Sequence, residues 1–366
     1  VNRFFISALL LAGLLVPRAD ADEWALALPG WKYAFPRDHH AHPDFKTEWW
    51  YFTGNLTGDD GRDYGYQLTF FRQGVQRSAD SETRFAVGDI KLAHFAVTEI
   101  SRGRFHCAQK VSRGAFGEAG FTDGDRVAWI DDWELRLREG GGFILQARDS
   151  ALALELTLIP RKPPIFHGEN GVSQKSAGQG RASHYYSLTR LETEGRLVID
   201  GRIVTVKGWS WFDQEWATNQ LTEDQLGWDW LSLQFEDGTE LMLFQIRLKN
   251  GGRDPFSHGT WVDAEGVSTA VKDADFELVP GRTWQSKATG GDYPIEWTIR
   301  IPQLELEVTV QAALDEQELV LRPISYWEGS VRATATRSGQ AVKGRGYLEM
   351  TGYGGGLVGL QAPDTR

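Results

Sequence analysis

Cysteine is nearly missing: Cys107 is the single one in 366 residues. That excludes an intramolecular disulfide and any zinc or iron–sulfur centre built on clustered thiolates. Basic charge is also short. Lys and Arg number 39 against 50 Asp and Glu, a formal net charge of −11, which argues against a nucleic acid held on a positive face. Beyond the first 21 residues no apolar run approaches the ~18–20 residues of a membrane-spanning helix. Sustained 3.6-residue periodicity is scarce. The chain has no Gly-x-Ser-x-Gly elbow, no P-loop and no His-Glu-x-x-His, so the commonest serine-hydrolase, P-loop nucleotide-binding and zinc-peptidase readings have no support.

Aromatics and glycine are abundant instead, with 15 Trp and 41 Gly. Hydrophobic residues at 41% and charged residues at 24% are ordinary for a folded chain. Val1-Asn2-Arg3 leads into a largely apolar stretch from Phe4 to Val16, and Ala19-Asp20-Ala21 follows. A basic residue, a short apolar stretch and an A-x-A site compose a secretory leader. The expectation is export by a leader cut after Ala21, to the periplasm or the medium.

The remainder reads as antiparallel strands. Glu48 to Thr57 is aromatic and β-branched, Gly58-Asp59-Asp60-Gly61 turns the chain, and Tyr64 to Arg72 returns. Trp129 to Arg138 and Phe143 to Arg148 flank a Gly-rich turn. Arg196 to Ile199 and Arg202 to Lys207 flank Asp200-Gly201, a strong hairpin signal. In the run Trp228 to Phe235, Leu231, Leu233 and Phe235 share one face, and Trp230, Ser232 and Gln234 the other. Many hairpins with little helix predict an all-β fold of barrels or sandwiches. The Pro-, Gly- and Ser-rich stretch from Pro160 to Arg181 has no period and suits a linker or a long functional loop. Trp49-Trp50-Tyr51-Phe52 and Trp228-Asp229-Trp230, each followed by an Asp-Gly turn and a returning strand, give the halves a faint likeness.

Three constellations carry candidate chemistry. Asp38-His39-His40-Ala41-His42-Pro43 precedes Glu48-Trp49-Trp50-Tyr51. His40, His42 and Asp44 are thinkable metal ligands, and the competing reading is His side chains that cap backbone or bond carboxylates. Glu48 enters an aromatic strand either paired with an Arg or facing a ligand. Next, His184-Tyr185-Tyr186-Ser187 is followed by Trp211-Phe212-Asp213-Gln214-Glu215-Trp216. In an extended chain Asp213 and Glu215 point to one side with Trp211 beside them. An acid enclosed by indoles has its pKa raised toward neutrality, as a general acid requires, and the rings can steady a developing cation. A structural ion pair at a barrel mouth is the alternative. Last, Tyr326-Trp327-Glu328-Gly329 and Gly346-Tyr347-Leu348-Glu349 alternate Glu with aromatics; this suits a wet, aromatic barrel interior or ordinary cross-strand pairs, and the structural reading is preferred.

Together these residues resemble the AttH-like, carotenoid 1,2-hydratase-like family of double lipocalin-like proteins. The resemblance rests on Asp38-His39-x-x-His42-Pro43, Glu48-Trp49-Trp50-Tyr51-x-x-Gly54, Tyr185-Tyr186-Ser187, Trp211-x-Asp213-x-Glu215-Trp216, Tyr326-Trp327-Glu328-Gly329 and Gly346-Tyr347-x-Glu349-x-Thr351-Gly352-Tyr353, in that order. After the leader at 1–21, it implies a lipocalin-like barrel over 22–165, a linker over 166–180 and a second barrel over 181–366. It implies cofactor-free acid–base water addition or hydrolysis on a hydrophobic isoprenoid or lipid-like molecule. Asp213 would donate the proton, His184 would tune it or place water, and Glu215 would assist. Tyr186, Trp211, Trp216, Glu48, Trp49, Trp50, Tyr51 and His42 would line the substrate site. No metal, cofactor or nucleic acid is expected. The second expectation is a non-catalytic carrier of a lipophilic ligand that works with a membrane transporter.

Overall fold

The computed structural model describes residues 24–77, 87–219, 221–322 and 324–355. The expected leader and its cut site lie outside the described residues. Among the described residues the helices are five three-residue 3-10 turns, and none is long and apolar enough to cross a membrane.

The strands form two large antiparallel sheets. The 13-stranded sheet runs β4 (Arg104–Ser112), β3 (Asp89–Glu99), β2 (Asp63–Gly74), β1 (Thr47–Gly58), β13 (Arg202–Ala217), β12 (Ala182–Ile199), β9 (Leu152–Pro160), β8 (Phe143–Arg148), β7 (Trp133–Leu137), β6 (Arg126–Ile130) and β5 (Ala119–Phe121). β10 (Ile165–Phe166) and β11 (Val172–Gln174) add to β12. The sheet curls until β6 meets β3 and β4. The 10-stranded sheet runs β17 (Ser268–Lys272), β16 (His258–Val262), β15 (Glu240–Leu248), β14 (Gln225–Phe235), β25 (Gln340–Met350), β24 (Tyr326–Arg337), β22 (Leu306–Ala312), β21 (Glu296–Ile301) and β18 (Glu277–Pro280), with β23 (Glu318–Leu319) on β24. β19 (Thr283–Gln285) and β20 (Asp292–Pro294) form a separate pair. The fold is all-β, two lipocalin-like barrels side by side.

Local chemistry explains the elements. Aromatic and β-branched side chains on β1 and β2 fit a pleated, half-buried surface. Asp200 (φ 51°) and Gly201 (φ 76°) both take left-handed conformations, which a two-residue hairpin turn between β12 and β13 requires. The single strand expected over 129–138 is two strands, because Asp131 at φ 54° turns the chain; a short Asp tolerates that conformation. The expected partition also shifts. β12 and β13 pair with β9 and β1, so residues 182–217 complete the first sheet and the second begins at Gln225. The loop expected as a linker is folded onto β12 through β10 and β11.

Each barrel has its own core. Phe52, Leu68, Phe95, Trp133, Leu145 and Phe212 fill the first; Leu231, Leu233, Phe235, Trp297, Trp327 and Leu348 fill the second. A buried aromatic ring removes about 200 Å² from water, on the order of 5 kcal/mol at roughly 25 cal/mol per Å² before the entropy of ordering it. A third cluster lies between the sheets: Tyr51, Tyr185 and Trp211 from the first, Trp230, Met242, Phe244, Ile246 and Tyr347 from the second. The sheets approach so closely that a Cβ on Gly65 would sit 2.8 Å from Ser330 Cβ and Tyr347 Oη.

Candidate functional site

Strand alternation sorts the singled-out residues onto two faces. On β13, Phe212 and Trp216 enter the first barrel core, whereas Trp211, Asp213 and Glu215 project toward the second sheet. Register carries the pattern across neighbouring strands. Tyr51, Asp213 and Ser187 lie in one row, and Trp49, Glu215 and Tyr185 in the next. The second sheet contributes Trp228, Trp230, Phe244, Tyr326 and Glu349. Between them is a cavity of about 430 Å³, lined mainly by apolar and aromatic groups.

Asp213 forms part of the cavity wall and is fixed by three donors. The Tyr185 hydroxyl donates to Oδ2 at 2.6 Å, the Trp211 indole N–H donates to Oδ1 at 2.6 Å, and the Ser187 hydroxyl also bonds to Oδ1. Trp230 Nε1 donates to Tyr185 Oη at 3.0 Å, which leaves the tyrosine proton aimed at the carboxyl. Behind Ser187, His167 Nε2 lies 2.6 Å from its Oγ, and His167 Nδ1 lies 2.8 Å from Thr260 Oγ1. Burial raises the Asp213 pKa to about 7; the three donors pull it down without overcoming burial, and the Glu215 charge pushes it further up. Glu215 pairs with Lys175 at 3.0 Å, whose ammonium sits 4.2 Å from the Phe244 ring centroid.

A second acidic group comes from the other sheet. Glu328 and Glu349 are directly opposed on β24 and β25. Their carboxyls are cross-strand neighbours and each shifts the proton affinity of the other. Tyr51 donates to Glu328 Oε1 at 2.5 Å and Trp228 Nε1 donates to Glu349 Oε1 at 2.8 Å. Burial lifts Glu328 well above the ordinary range, with the neighbouring Glu349 adding to it. Burial lifts Glu349 to about 7 against the Trp228 and Glu328 hydrogen bonds. The alternation of Glu with aromatics gives the cross-strand pair expected from the sequence and also brings Glu349 to the cavity wall.

Of the expected site residues, Asp213, Glu215, Trp49 and Tyr51 line the cavity, and Trp211 touches Asp213. The others fall on the opposite face. His184 packs among Trp31, Phe45 and Trp216 and cannot reach Asp213 through the sheet. Burial, then the nearby His42, lowers its pKa to about 4. Tyr186 donates to Gln214 Oε1 at 2.8 Å inside the first barrel. Trp50 donates to the His39 carbonyl at 2.9 Å, and Trp216 stacks on His42 with centroids 3.7 Å apart. Glu48 takes the paired alternative. His42 Nδ1 lies 2.6 Å from Oε1, the His42 amide donates to Oε2 at 2.8 Å, and Arg72 Nε lies 3.5 Å from Oε2. His39, His40 and His42 diverge, to Tyr186, to backbone carbonyls, and to Asp38 with Glu48. Among the described residues no three His, Cys, Asp or Glu side chains converge as a metal site.

Sequence reasoning missed His167, Lys175 and the cavity role of Glu349. His167 and Lys175 sit in the aperiodic loop, where nothing local marks them. The repeated aromatic–Glu alternation on β24 and β25 is the signal that would have found Glu349.

A structure described as AttH from Nitrosomonas europaea is 35% identical, covers 90% of this chain and 99% of that one, and superposes with a TM-score of 0.81. Kievitone hydratase from Nectria haematococca, 14% identical over 91% of this chain and 96% of its own, has the same fold at a TM-score of 0.71. By sequence, a kievitone hydratase of Fusarium solani subsp. phaseoli is 23% identical over 210 residues, 56% of this chain and 58% of the relative. Dehydratase asqC of Emericella nidulans is 22% identical over 182 residues, 47% and 50% respectively. The chain thus spans only about half the length of the curated relatives it matches. Residues 26–353 match the AttH-like family model, and the chain belongs to the AttH-like family.

Proposed function

We propose that this protein is an exported, cofactor-independent enzyme that adds water to, or removes it from, a hydrophobic isoprenoid or lipid-like molecule bound between the barrels. The carrying observation is Asp213, a carboxyl on the wall of an aromatic cavity with its pKa raised to about 7. Such an acid keeps a proton near neutrality and can give it up again. The neutral acid would protonate one carbon of a double bond; the cation left on the adjacent carbon would meet the π faces of Trp228, Trp230 and Tyr51. Water then captures it, and loss of a proton gives the alcohol. Dehydration is the same path reversed. The relatives named hydratase and dehydratase support this reaction class. Ser187 and His167 resemble a nucleophile–base pair, yet Ser187 is fully buried behind Asp213, which favours water addition over a serine-acyl route. Export to the periplasm follows from the leader-like N-terminus, and the product or substrate would then be met outside the cytoplasm.

The test is turnover of farnesol, geranylgeraniol and oleic acid in H2-18O, followed by mass spectrometry. Wild-type protein is expected to incorporate one 18O with the mass of one water. Asp213→Asn should lose about 10²–10⁴-fold in rate while keeping probe binding. Probes that bind and return unchanged would overturn the reading in favour of a carrier that hands its ligand to a membrane transporter.

A further inference from the structure

Adding water needs two proton transfers, one to carbon and one from the attacking water, and a single buried acid is badly placed for both. The cavity holds a second carboxyl opposite the first. Asp213 belongs to the first sheet and Glu349 to the second, and both line the same space. Their supports are interleaved. Tyr51, the cross-strand neighbour of Asp213, donates to Glu328, the partner of Glu349. Trp230, the cross-strand neighbour of Glu349, donates to Tyr185, which donates to Asp213. Each acid is held directly by its own sheet and braced at one remove by the opposite one, and neither barrel alone supplies the pair. We propose that Glu349, held by Glu328 and Trp228, is the base that takes the proton from the attacking water, while Asp213 supplies the proton to carbon. The proposal rests on the hydration reading above.

The roles follow from the surroundings. Facing Glu349 are Glu328 on β24, Trp228 and Trp230 on β14 and, across the cavity, Asp213, Glu215, Tyr51 and Lys175. Glu328 is buried and has one carboxyl oxygen without a donor; a proton kept on that oxygen can be offered to Glu349. Glu349 is then the carboxylate of the pair, stabilised by the Trp228 N–H at 2.8 Å. Asp213 and Glu349 are both lifted to about 7, so each can hold or release a proton near neutrality, and the neighbours of each set which role it takes.

The balance is complete. The O–H bond of Asp213 breaks, a C–H bond forms, and the π bond is consumed. A water oxygen bonds to the cationic carbon, and one of its protons passes to Glu349. Asp213 is left ionised and Glu349 protonated, and proton exchange through cavity water restores both before the next turnover.

The test separates the two transfers. In D2O, Asp213 can deliver a deuteron and the cation can lose a proton back to it, so the alkene acquires deuterium without forming alcohol. With whichever of farnesol, geranylgeraniol or oleic acid wild type converts, Glu349→Gln should keep this exchange within about threefold and lose about 10²–10⁴-fold in alcohol formation. Asp213→Asn should lose both. Glu328→Leu, which cannot donate, should move the acidic limb of its pH profile up by about one unit while the exchange profile stays in place. Unimpaired alcohol formation in Glu349→Gln, or exchange and alcohol lost together, overturns the assignment of Glu349. If Glu349→Gln does not fold, an unmoved acidic limb in Glu328→Leu does the same. Neither exchange nor alcohol from wild type with any probe overturns the hydration reading itself.

Discussion

Asp213 accepts hydrogen bonds from Ser187, Tyr185 and Trp211 and still holds its proton to about pH 7, because complete burial outweighs the donors. The ordinary value of 3.8 applies to the unfolded chain. The native state therefore keeps a proton that the unfolded state releases between about pH 4 and 7. The stability due to the neutral acid is complete below the lower value and is lost as pH rises through the upper one. Across that window wild type should lose on the order of 3–4 kcal/mol relative to Asp213→Asn, which does not titrate. Thermal melts of both proteins from pH 4 to 8 check this, and a constant gap between them would refute it. His42 behaves differently. Burial disfavours its charge, but Glu48 and Asp38 more than offset that and raise its pKa. It ties the segment before β1 to the barrel and takes no part in the cavity.

The loop from residue 161 to 181 is the element whose role changes most between sequence and structure. Arg161 is followed by Lys162, whose ammonium meets Glu240 Oε2 at 2.7 Å and donates to the Gly238 carbonyl at 2.6 Å. Arg190 of β12 bonds the same carboxylate. Glu240 is fully buried on β15, so the loop and β12 together neutralise a charge belonging to the second sheet. Lys162→Ala leaves that carboxylate with one cation fewer in a dry site. About 3 kcal/mol of destabilisation is expected, read from urea unfolding midpoints, with the cavity residues untouched. A loss below about 0.5 kcal/mol, typical of an exposed pair, would contradict the buried triad. The same loop delivers His167 to Ser187 and Lys175 to Glu215, so it is part of the site's scaffold.

At the scale of the molecule, function sits where the two barrels meet. Tyr51, Tyr185 and Trp211 would be solvent-exposed aromatics on the first sheet alone, and Trp230, Phe244 and Tyr347 on the second. Apposition turns two amphipathic faces into one aromatic-walled cavity, and the burial it brings is what lifts the acids. The leader-like start of the sequence belongs to this scale as well. Exported protein should begin at Asp22, determined by N-terminal sequencing after secretion; material that begins at residue 1 would refute cleavage after Ala21.

Strand identity, hairpin turns and the shared face of Trp211, Asp213 and Glu215 were legible in the chain, because side-chain alternation and φ-permissive turn residues are local properties. The AttH-like resemblance was legible too, since its motifs are short and contiguous. Which face is which was not. His184 and Tyr186 differ from Tyr185 and Ser187 by one residue, and that single step carries them through the sheet into the first barrel and away from the cavity. Glu328 and Glu349 look like ordinary strand carboxylates until the second sheet is laid over the first. The sequence by itself determined strands and their alternation; only the tertiary structure decided which alternating face became a cavity, because burial and the proton affinities it sets are made by residues distant in the chain.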